Sequence, residues 1–407
     1  MVLKSLLNRI IDEQRTALSE KPTGIEREML AVLPELGSLS LIVSGIRRCG
    51  KSTLIAQWLQ KKYPDALFLN FEDTKLYDFE PNDFSRLSEI IAERKIKTLF
   101  LDEIQIIDGW ERYVRQKLDE GFQVAITGSN ASLLSRELGT KLTGRHITKE
   151  LFPFGFAEFC RFKNLEISAD SSQTYLQTGG FPEYLKDDNA EVLTGLFNDI
   201  LLRDIIVRYN IRDSRLIQRL AAYLIANVGN LVTGNKLKAY FDIKSTSTIM
   251  EYLSHLELSY LFFTVPKFSY SIKKQIINPR KLYAIDNGMV TKNSVTFSEN
   301  SGRLFENMVF LYYRRRFKEI CYFAEKGECD FIVSDKNTVI EAIQACYELT
   351  PDNLEREING LVEALNYFDM KEGKIITMNQ KDNFTVDNKT ITAIPFFELE
   401  HKKGTTD

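Results

Sequence analysis

Residues 39–53 read LSLIVSGIRRCGKST, and this stretch decides the fold of the amino-terminal part of the chain. The apolar run 39–43 is typical of a buried strand, and apolar residues at helical spacing begin at Leu54. Between them, residues 45–52 fit G-x-x-x-x-G-K-[ST] at every fixed position. A strand, this loop and a helix together predict a backbone cradle for phosphate. A glycine turn without a ligand is the alternative.

The loop supplies the candidate contacts to ATP. We expect Lys51 to bridge the β- and γ-phosphates and the Ser52 hydroxyl to bind Mg²⁺. The helix that begins there adds the partial positive charge of its amino terminus. The predicted nucleotide-binding residues are Gly45, Ile46, Arg47, Arg48, Cys49, Gly50, Lys51, Ser52 and Thr53, with Ser129 and Asn130 further along the chain.

A second strand, residues 97–101, ends in Asp102 and Glu103. Acidic residues at this distance after a glycine loop indicate the second half of an ATP-hydrolysing site. Asp102 is expected to hold Mg²⁺, mostly through water. Glu103 is expected to polarise the attacking water, as a general base or as an orienting acceptor.

Polar residues follow a third strand, residues 123–128, and predict a sensor of the γ-phosphate. Ser129 and Asn130 are the candidates, and a simple turn with a helix cap is the alternative. ATPases of this type also need an arginine on the γ-phosphate, which a neighbouring subunit often supplies. Arg145 is the first candidate and Arg136 the second, although surface arginines are common. Arg27 fits an exposed helix position better than contact with a nucleotide base.

Composition narrows the class of protein. The chain has 407 residues, 44% of them apolar and 27% charged, with a formal net charge of -3. These values predict a multidomain globular protein and argue against general coating of nucleic acid. Five cysteines without a C-x-x-C pair and three histidines make zinc, redox and disulfide interpretations weak. No apolar run of about 18 residues predicts a membrane span, so we expect a cytoplasmic protein without membrane contact.

Strands that alternate with helices predict an α/β fold, a P-loop NTPase with a parallel sheet and helices on both faces. Further along the chain we predict a helical lid, a winged helix and a restriction-endonuclease-like α/β domain. The predicted domains are residues 1–150 for the ATPase, 151–212 for the lid or linker, 213–290 for the winged helix and 300–400 for the nuclease-like domain.

The winged-helix prediction depends on helices at 214–228, 233–240 and 245–257, followed by an apolar hairpin. The last of these helices suits recognition of a DNA groove. Basic residues in the hairpin favour double-stranded DNA, whereas many winged helices contact only proteins, so both partners stay open. The basic residues are Lys267, Lys273, Lys274, Arg280 and Lys281.

The last hundred residues read as helix, three strands, helix and strand, which suits a nuclease core. Such cores place carboxylates around Mg²⁺, and Glu306 and Asp330 fit the first two positions. Gln344 and Cys346 stand where Glu and Lys are expected, and Glu341 falls on the opposite face of its strand. We therefore expect a degenerate domain, with residual cleavage at Glu306 and Asp330 left open.

Eight stretches together resemble a large prokaryotic family of AAA+ ATPases related to the archaeal-type ATPases. In that family the carboxy-terminal half is a domain of unknown function with a winged helix and an often degenerate PD-(D/E)XK fold. The resemblance implies phosphate binding by residues 45–53, Mg²⁺ at Ser52 and Asp102, catalysis by Glu103, sensing near Ser129 and Asn130, and an arginine at Arg145. We count Lys51 and Arg145 with Glu103 as the candidate catalytic residues. The stretches are GIRRCGKST, LFLDEIQ, ITGSNASLLSRELGTKLTGR, LFPFGFAEF, GGFPEYL, KLYAIDNG and GRLFENMVF with ECDFIV.

The sequence thus predicts a protein that hydrolyses ATP with Mg²⁺ and uses nucleotide state to reposition carboxy-terminal DNA- or protein-binding domains. One alternative is a non-catalytic switch that binds DNA or protein under nucleotide control. Another is an ATP-dependent nuclease. A homo-oligomer is compatible with each of them.

Overall fold

The chain forms two compact units, Met1–Phe152 and Pro153–Asp407. No helix among the residues with assigned structure is long and apolar enough to cross a membrane. The predicted boundaries after 212 and 290 fall inside the second unit and stay predictions. A computed structural model describes residues 1–20, 22–131, 142, 144–294 and 301–400.

A parallel five-stranded sheet forms the centre of the first unit, as the sequence predicted, with strand order β2-β3-β4-β1-β5. The central strands are buried along almost their whole length, which explains their near-continuous apolar sequences. The strands are β1 (Ser40–Ser44), β2 (Leu67–Asn70), β3 (Thr98–Asp102), β4 (Gln123–Gly128) and β5 (His146–Glu150).

Three helices, Lys4–Glu20, Asp83–Glu93 and Trp110–Asp119, contribute apolar side chains to one hydrophobic core with this sheet. Trp58, on the helix Lys51–Lys62, packs instead against Phe100 of β3. The helices are Lys4–Glu20, Lys51–Lys62, Asp83–Glu93 and Trp110–Asp119, with 3-10 turns at Glu28–Val32, Thr74–Leu76 and Ile104–Ile106.

The strand order explains where a site can form. Strands β3, β4 and β1 are neighbours and run in the same direction, so their carboxyl ends meet at one edge of the sheet. The chain leaves these ends at Asp102, Gly128 and Ser44. The residues that follow these three positions, far apart in sequence, are therefore brought together.

The first helix packs on the same sheet and buries Leu7, Ile10 and Ile11 in the core. Its Gln14 side chain donates to the Asn70 carbonyl at 3.1 Å and accepts from the Asn70 N–H at 2.8 Å. The amphipathic pattern of this helix is therefore explained by packing.

Helices open the second unit, and a π-helical turn extends one of them. The helix that begins at Ala190 is therefore α-helical only in its first part. The elements are Phe156–Lys163, Ala169–Thr178, Pro182–Asp187, Ala190–Asp199 and the π-helix Ile200–Val207.

Three helices and a small antiparallel sheet follow, near the predicted positions. The sheet has the strand order β6-β8-β7. A short helix, Ile272–Ile277, stands within the hairpin and was not predicted from the sequence. The elements are Ser214–Ala226, β6 (Leu231–Val232), Gly234–Tyr240, Thr246–Leu258, β7 (Phe262–Pro266), Ile272–Ile277, β8 (Arg280–Ala284) and Asn287–Asn293.

A six-stranded mixed sheet closes the chain, with strand order β13-β14-β12-β11-β10-β9. The predicted order of helix, three strands, helix and strand is present, and the final hairpin was missed. The elements are Ser301–Arg314, β9 (Glu319–Ala324), β10 (Glu328–Asp335), β11 (Thr338–Ala345), Leu354–Tyr367, β12 (Glu372–Thr377), β13 (Asp382–Val386), β14 (Lys389–Pro395) and the 3-10 turn Phe396–Leu399.

Candidate nucleotide site

The loop between β1 and the helix Lys51–Lys62 has two positions that only glycine can fill. A Cβ at Gly45 would stand 2.1 Å from the carbonyl oxygen of Leu151. Gly50 has a φ of +101°, and a Cβ there would lie 2.7 Å from a guanidinium nitrogen of Arg27. The glycines of the motif are therefore required by close packing and backbone conformation.

Lys51 opens the helix, and its buried ammonium folds over the loop. Its Nζ donates to the carbonyls of Gly45 at 3.0 Å and Ile46 at 3.2 Å, and lies 3.5 Å from Glu103 Oε1. Burial lowers the pKa of this ammonium, but the acidic groups of Glu103, Cys49 and Asp102 together outweigh burial and leave the pKa above its usual value. Lys51 therefore supplies a permanent positive charge at the loop.

Ser52 and Asp102 are in direct contact, and their shared role as metal ligands stays a prediction. The Ser52 hydroxyl donates to Asp102 Oδ2 at 3.0 Å, and the Thr127 hydroxyl donates to Oδ1. Burial and the neighbouring Glu103 carboxylate raise the pKa of Asp102 to about 6. A carboxylate and a hydroxyl oxygen side by side are ligands that Mg²⁺ prefers, so this pair fits the ion.

Glu103 follows β3 in a left-handed conformation, with a φ of 53°. Its Oε2 accepts from the Ser129 N–H at 3.1 Å and from the Gln105 amide. Burial favours a higher pKa for Glu103, but Lys51 and the Gln105 contact outweigh burial and lower the pKa. The carboxylate is therefore ionised and held in place, as a base or an orienting acceptor must be.

Ser129 and Asn130 follow β4 at the same edge of the sheet, and both are buried. The Asn130 carbonyl accepts from the Ser44 hydroxyl at 3.2 Å. The Ser129 hydroxyl has no hydrogen-bond partner within the described part of the chain. A buried hydroxyl without a partner is rare and costly, so Ser129 is poised for a polar ligand.

Arg27 was expected at an exposed position, and the structure corrects this expectation. Its side chain is buried, donating to the Cys49 carbonyl at 2.7 Å and to the Phe152 carbonyl at 2.8 Å. Its backbone N–H donates to Gln57 Oε1 at 3.1 Å. Arg27 therefore supports the loop from behind, and the sequence around it carried no motif that could have revealed this contact.

The remaining loop residues differ in exposure. Ile46 and Cys49 are buried, Thr53 is half-buried, and burial raises the pKa of the Cys49 thiol. Arg47 forms an ion pair with Glu72 at 3.0 Å. Arg48 has a φ of 61°, which turns the loop before the helix.

Arg145 lies at the opposite edge of the sheet from the loop. It immediately precedes β5, whose first residue pairs with Ser40 at the start of β1, and it contacts Asp119. A strand rise of about 3.3 Å per residue separates this edge from the loop by roughly 15 Å. Its catalytic role stays a prediction that needs a second copy, and Arg136 lies outside the described residues.

The second unit brings Glu306 and Asp330 together around a lysine. The Lys281 Nζ lies 3.1 Å from Glu306 Oε1 and 2.7 Å from Asp330 Oδ1. The wing prediction placed Lys281 among exposed basic residues, and this placement is wrong, because the residue is 4% exposed.

Gln344 and Cys346 lie near this cluster, where the nuclease pattern has Glu and Lys. The Gln344 amide accepts from the Asp330 N–H at 3.2 Å and donates to Glu357 at 2.6 Å. Glu341 instead pairs with Lys374 at 2.8 Å. Gln344 and Glu341 therefore have hydrogen-bond or ion-pair partners within the second unit.

Comparison with known proteins identifies the family. An AAA domain matches residues 38–160, and a domain of unknown function (DUF8612) matches residues 169–299. The "Uncharacterized protein MJ1544" of Methanocaldococcus jannaschii is 36% identical, over 98% of this chain and 96% of its own length. The chain belongs to the MJ1544 family.

An "Uncharacterized protein" of Haemophilus influenzae is 31% identical to this MJ1544-family protein, over 80% of the chain and 86% of the relative. The AAA domain covers the loop, Asp102, Glu103 and Ser129, which supports an AAA-type ATPase. The DUF8612 match spans both the predicted lid and the predicted winged helix.

Two solved structures are distantly similar. A Saccharomyces cerevisiae Hsp104:casein complex has a TM-score of 0.31 and 13% identity, over 66% of this chain and 62% of that chain. Caenorhabditis elegans PCH-2 has a TM-score of 0.24 and 12% identity, over 61% of this chain and 68% of that chain. With scores this low, the likeness carries no weight for the overall fold.

Proposed function

We propose that this MJ1544-family protein hydrolyses ATP with Mg²⁺ and that nucleotide state repositions the carboxy-terminal unit. The observation that supports ATP hydrolysis is that four groups lie together at one edge of the sheet. They are Lys51, the Ser52–Asp102 pair, Glu103 and the Ser129 hydroxyl. These groups are what phosphate binding, metal binding, water activation and γ-phosphate sensing require.

Each of these side chains has a defined task in the proposal. The loop N–H groups and Lys51 bind the phosphates of ATP. Ser52 and Asp102 would hold Mg²⁺, which neutralises charge that develops on the phosphate oxygens. Glu103 orients the attacking water and takes its proton, and the Ser129 hydroxyl donates to the transferred phosphoryl group.

Two substitutions test this assignment. Lys51→Ala should lose ATP binding, because the cation that faces the phosphates is removed. Glu103→Gln should bind ATP and release no phosphate, since the amide cannot accept the proton. Binding of a fluorescent ATP analogue and phosphate release under saturating ATP measure the two effects, with exposed Glu93→Gln as control. Hydrolysis at the parent rate by Glu103→Gln would show that another residue activates the water.

The coupling half rests on residues 151–154, which link the units. In the first unit, the Leu151 N–H donates to the Ser44 carbonyl at 2.7 Å, and Arg27 joins the Phe152 carbonyl to the loop. In the second unit, the Phe154 N–H donates to the Gly180 carbonyl at 2.8 Å.

The Phe154 carbonyl also accepts from the Tyr175 hydroxyl at 2.9 Å and from Arg315 at 3.2 Å. Each unit therefore holds one end of this short segment by hydrogen bonds, and Pro153 lies between the two ends. A displacement of the phosphate loop reaches this segment through Arg27, which we assign as a positioning residue.

Arg27→Met tests the coupling, with exposed Arg9→Met as its control. In the parent protein, a non-hydrolysable ATP analogue should change the limited-proteolysis pattern beyond residue 153. Arg27→Met should bind the analogue, within about tenfold of the parent affinity, and lose this change. If the analogue still changes the proteolysis pattern of Arg27→Met, the coupling does not depend on Arg27.

The hairpin in the region 213–290 favours a protein partner over DNA. Lys281 is buried and Lys267 pairs with Glu325 at 3.0 Å, so part of the predicted basic surface is already neutralised. The hairpin instead exposes large apolar side chains, which suit protein contact. They are Tyr270, Ile272, Ile276 and Ile277.

A shift assay on duplex DNA at low salt, with and without ATP, tests this preference. We expect no shift in either condition. A salt-dependent shift that Lys273→Ala weakens would instead assign the hairpin to DNA. In a homo-oligomer, Arg145 would act on a neighbouring copy, so Arg145→Ala should lower phosphate release without lowering ATP affinity.

A further inference from the structure

A buried lysine occupies the centre of the carboxylate cluster in the second unit. The Lys281 Nζ contacts Asp330 Oδ1 at 2.7 Å, Glu306 Oε1 at 3.1 Å and Glu328 Oε1 at 2.5 Å. An ammonium has three N–H donors, and here each has a carboxylate within reach. The cluster is therefore one ammonium among three carboxyl groups.

The carboxylates are oriented by bonds that do not depend on the lysine. The Tyr283 hydroxyl donates to Glu306 Oε1 at 2.6 Å, and the Ala345 N–H donates to Asp330 Oδ2 at 2.9 Å. Tyr283 and Asp330 are buried. The oxygens would therefore keep their positions if the ammonium were absent.

Lys281 comes from β8 of the small sheet, whereas Glu306 lies on the helix Ser301–Arg314 and Asp330 on β10. The lysine thus joins three elements within one unit. Gln344, at the position of a further nuclease carboxylate, is engaged by the Asp330 N–H and by Glu357. No group of three or more His, Cys, Asp or Glu residues could hold a metal ion among the residues described.

We propose that Lys281 is the built-in cation of the Glu306–Asp330 pair and that its removal opens a divalent-cation site there. Carboxylate oxygens are the ligands that hard divalent cations prefer. An ammonium between them neutralises the same charge without a free position for a metal. The parent protein therefore binds no metal at Asp330, and truncation of Lys281 uncovers two fixed carboxylates with Glu328 beside them.

The rival role for Lys281 is that of a catalytic lysine beside a metal ion. That role requires a metal on Asp330 while the lysine contacts the attacking water. In this cluster all three donors of the lysine face carboxylates instead. The proposal concerns the second unit alone and is independent of ATP hydrolysis.

Equilibrium dialysis of the full chain against Mn²⁺, without nucleotide, tests the proposal. Lys281→Ala should bind about one Mn²⁺ more than the parent, and Lys281→Ala with Asp330→Asn should lose this ion. Any Mn²⁺ at Ser52 and Asp102 is common to all variants and cancels. Failure of folded Lys281→Ala to bind additional Mn²⁺ would overturn the proposal.

Two measurements keep the test valid if Lys281→Ala is unstable. Mn²⁺ should raise the melting temperature of Lys281→Ala more than that of the parent or of the double variant. Asp330→Asn in the parent background should leave Mn²⁺ binding unchanged. A loss of Mn²⁺ in Asp330→Asn, or Mn²⁺-dependent DNA cutting that this variant lacks, would overturn the proposal in favour of the rival.

Discussion

The two units each bury a lysine among acidic residues, and the two lysines are held differently. Lys51 donates to two carbonyls of its own loop and lies 3.5 Å from one carboxylate. Lys281 contacts three carboxylates at 2.5 to 3.1 Å. The Lys51 ammonium has two neutral carbonyl partners that it can exchange for a phosphate. All three donors of the Lys281 ammonium already face carboxylates. In the proposed function, the same residue pair, lysine and carboxylate, thus serves binding in one unit and stability in the other.

The largest effect expected from this contrast follows removal of each lysine. Lys281→Ala leaves buried carboxylates without their cation and should destabilise the second unit by about 3–5 kcal/mol. Lys51→Ala should destabilise the first unit by only about 1–2 kcal/mol while abolishing ATP binding. Chemical unfolding followed by circular dichroism measures the first effect.

Exposed Lys273→Ala is the matched control and should change the free energy of unfolding by less than about 0.5 kcal/mol. Equal destabilisation by Lys51→Ala and Lys281→Ala would contradict the distinction between the two sites.

The next effect concerns the space beside Lys51. Gly45→Ala places a Cβ 2.1 Å from the Leu151 carbonyl oxygen, so backbone must move. We expect a destabilisation of about 2 kcal/mol and an ATP affinity at least about tenfold lower. Gly37→Ala is the control, because nothing lies within 4 Å of its Cβ position. Unchanged ATP affinity in Gly45→Ala would show that ATP binding does not depend on the close packing of Gly45 against Leu151.

A carboxylate held by backbone groups rather than by a lysine gives a third case. Asp286 accepts from the Gly180 N–H at 2.6 Å and the Met289 N–H at 3.1 Å. Burial outweighs these bonds and raises the pKa of Asp286 to about 6. Because the folded state then binds its proton more tightly than the unfolded state, stability rises as the pH falls through about 6.

The expected gain between pH 7.5 and pH 5 is about 1 to 1.5 kcal/mol. The difference in unfolding free energy between the parent and Asp286→Asn, measured at both pH values, isolates this gain. A pH-independent difference would mean that Asp286 stays ionised.

The smallest effect tests the Ser129 hydroxyl. Ser129→Ala should leave the free energy of unfolding unchanged or raise it by up to about 1 kcal/mol, because a buried group without a partner is removed. ATP hydrolysis should fall about tenfold, the equivalent of about 1.4 kcal/mol. Ser44→Ala, which loses a hydrogen bond to Asn130, should instead destabilise the unit. ATP hydrolysis at the parent rate by Ser129→Ala would show that the Ser129 hydroxyl does not sense the γ-phosphate.

Local sequence was sufficient for the nucleotide loop and for Asp102 and Glu103. Their signal consists of glycines, a lysine and acids next to apolar strands, and parallel strands bring such ends together. It also predicted most helices and strands of the second unit. The hairpin of β13 and β14 was missed, because β13 is short, is largely exposed and has only two apolar residues, Phe384 and Val386, to indicate a strand.

Arg27 and Lys281 show why the rest could not be predicted. Their partners are remote in sequence, since Arg27 contacts Phe152 and Lys281 contacts Asp330, 49 residues away. Charged residues are usually exposed, so an exposed position was the reasonable expectation for both. Only the structure shows that both cations are buried and have hydrogen-bond partners there.

The buried thiol of Cys49 determines how the nucleotide loop would respond to covalent reagents. Alkylating probes react with thiolates, and burial holds this sulfur in its protonated form within a loop that excludes bulky groups. All five cysteines are free thiols, and Cys321 in the second unit is half-buried where the other four are buried. Burial also raises the pKa of Cys321 to about 11, so neither sulfur is a ready thiolate. We therefore expect cysteine-directed compounds to leave the phosphate loop unmodified.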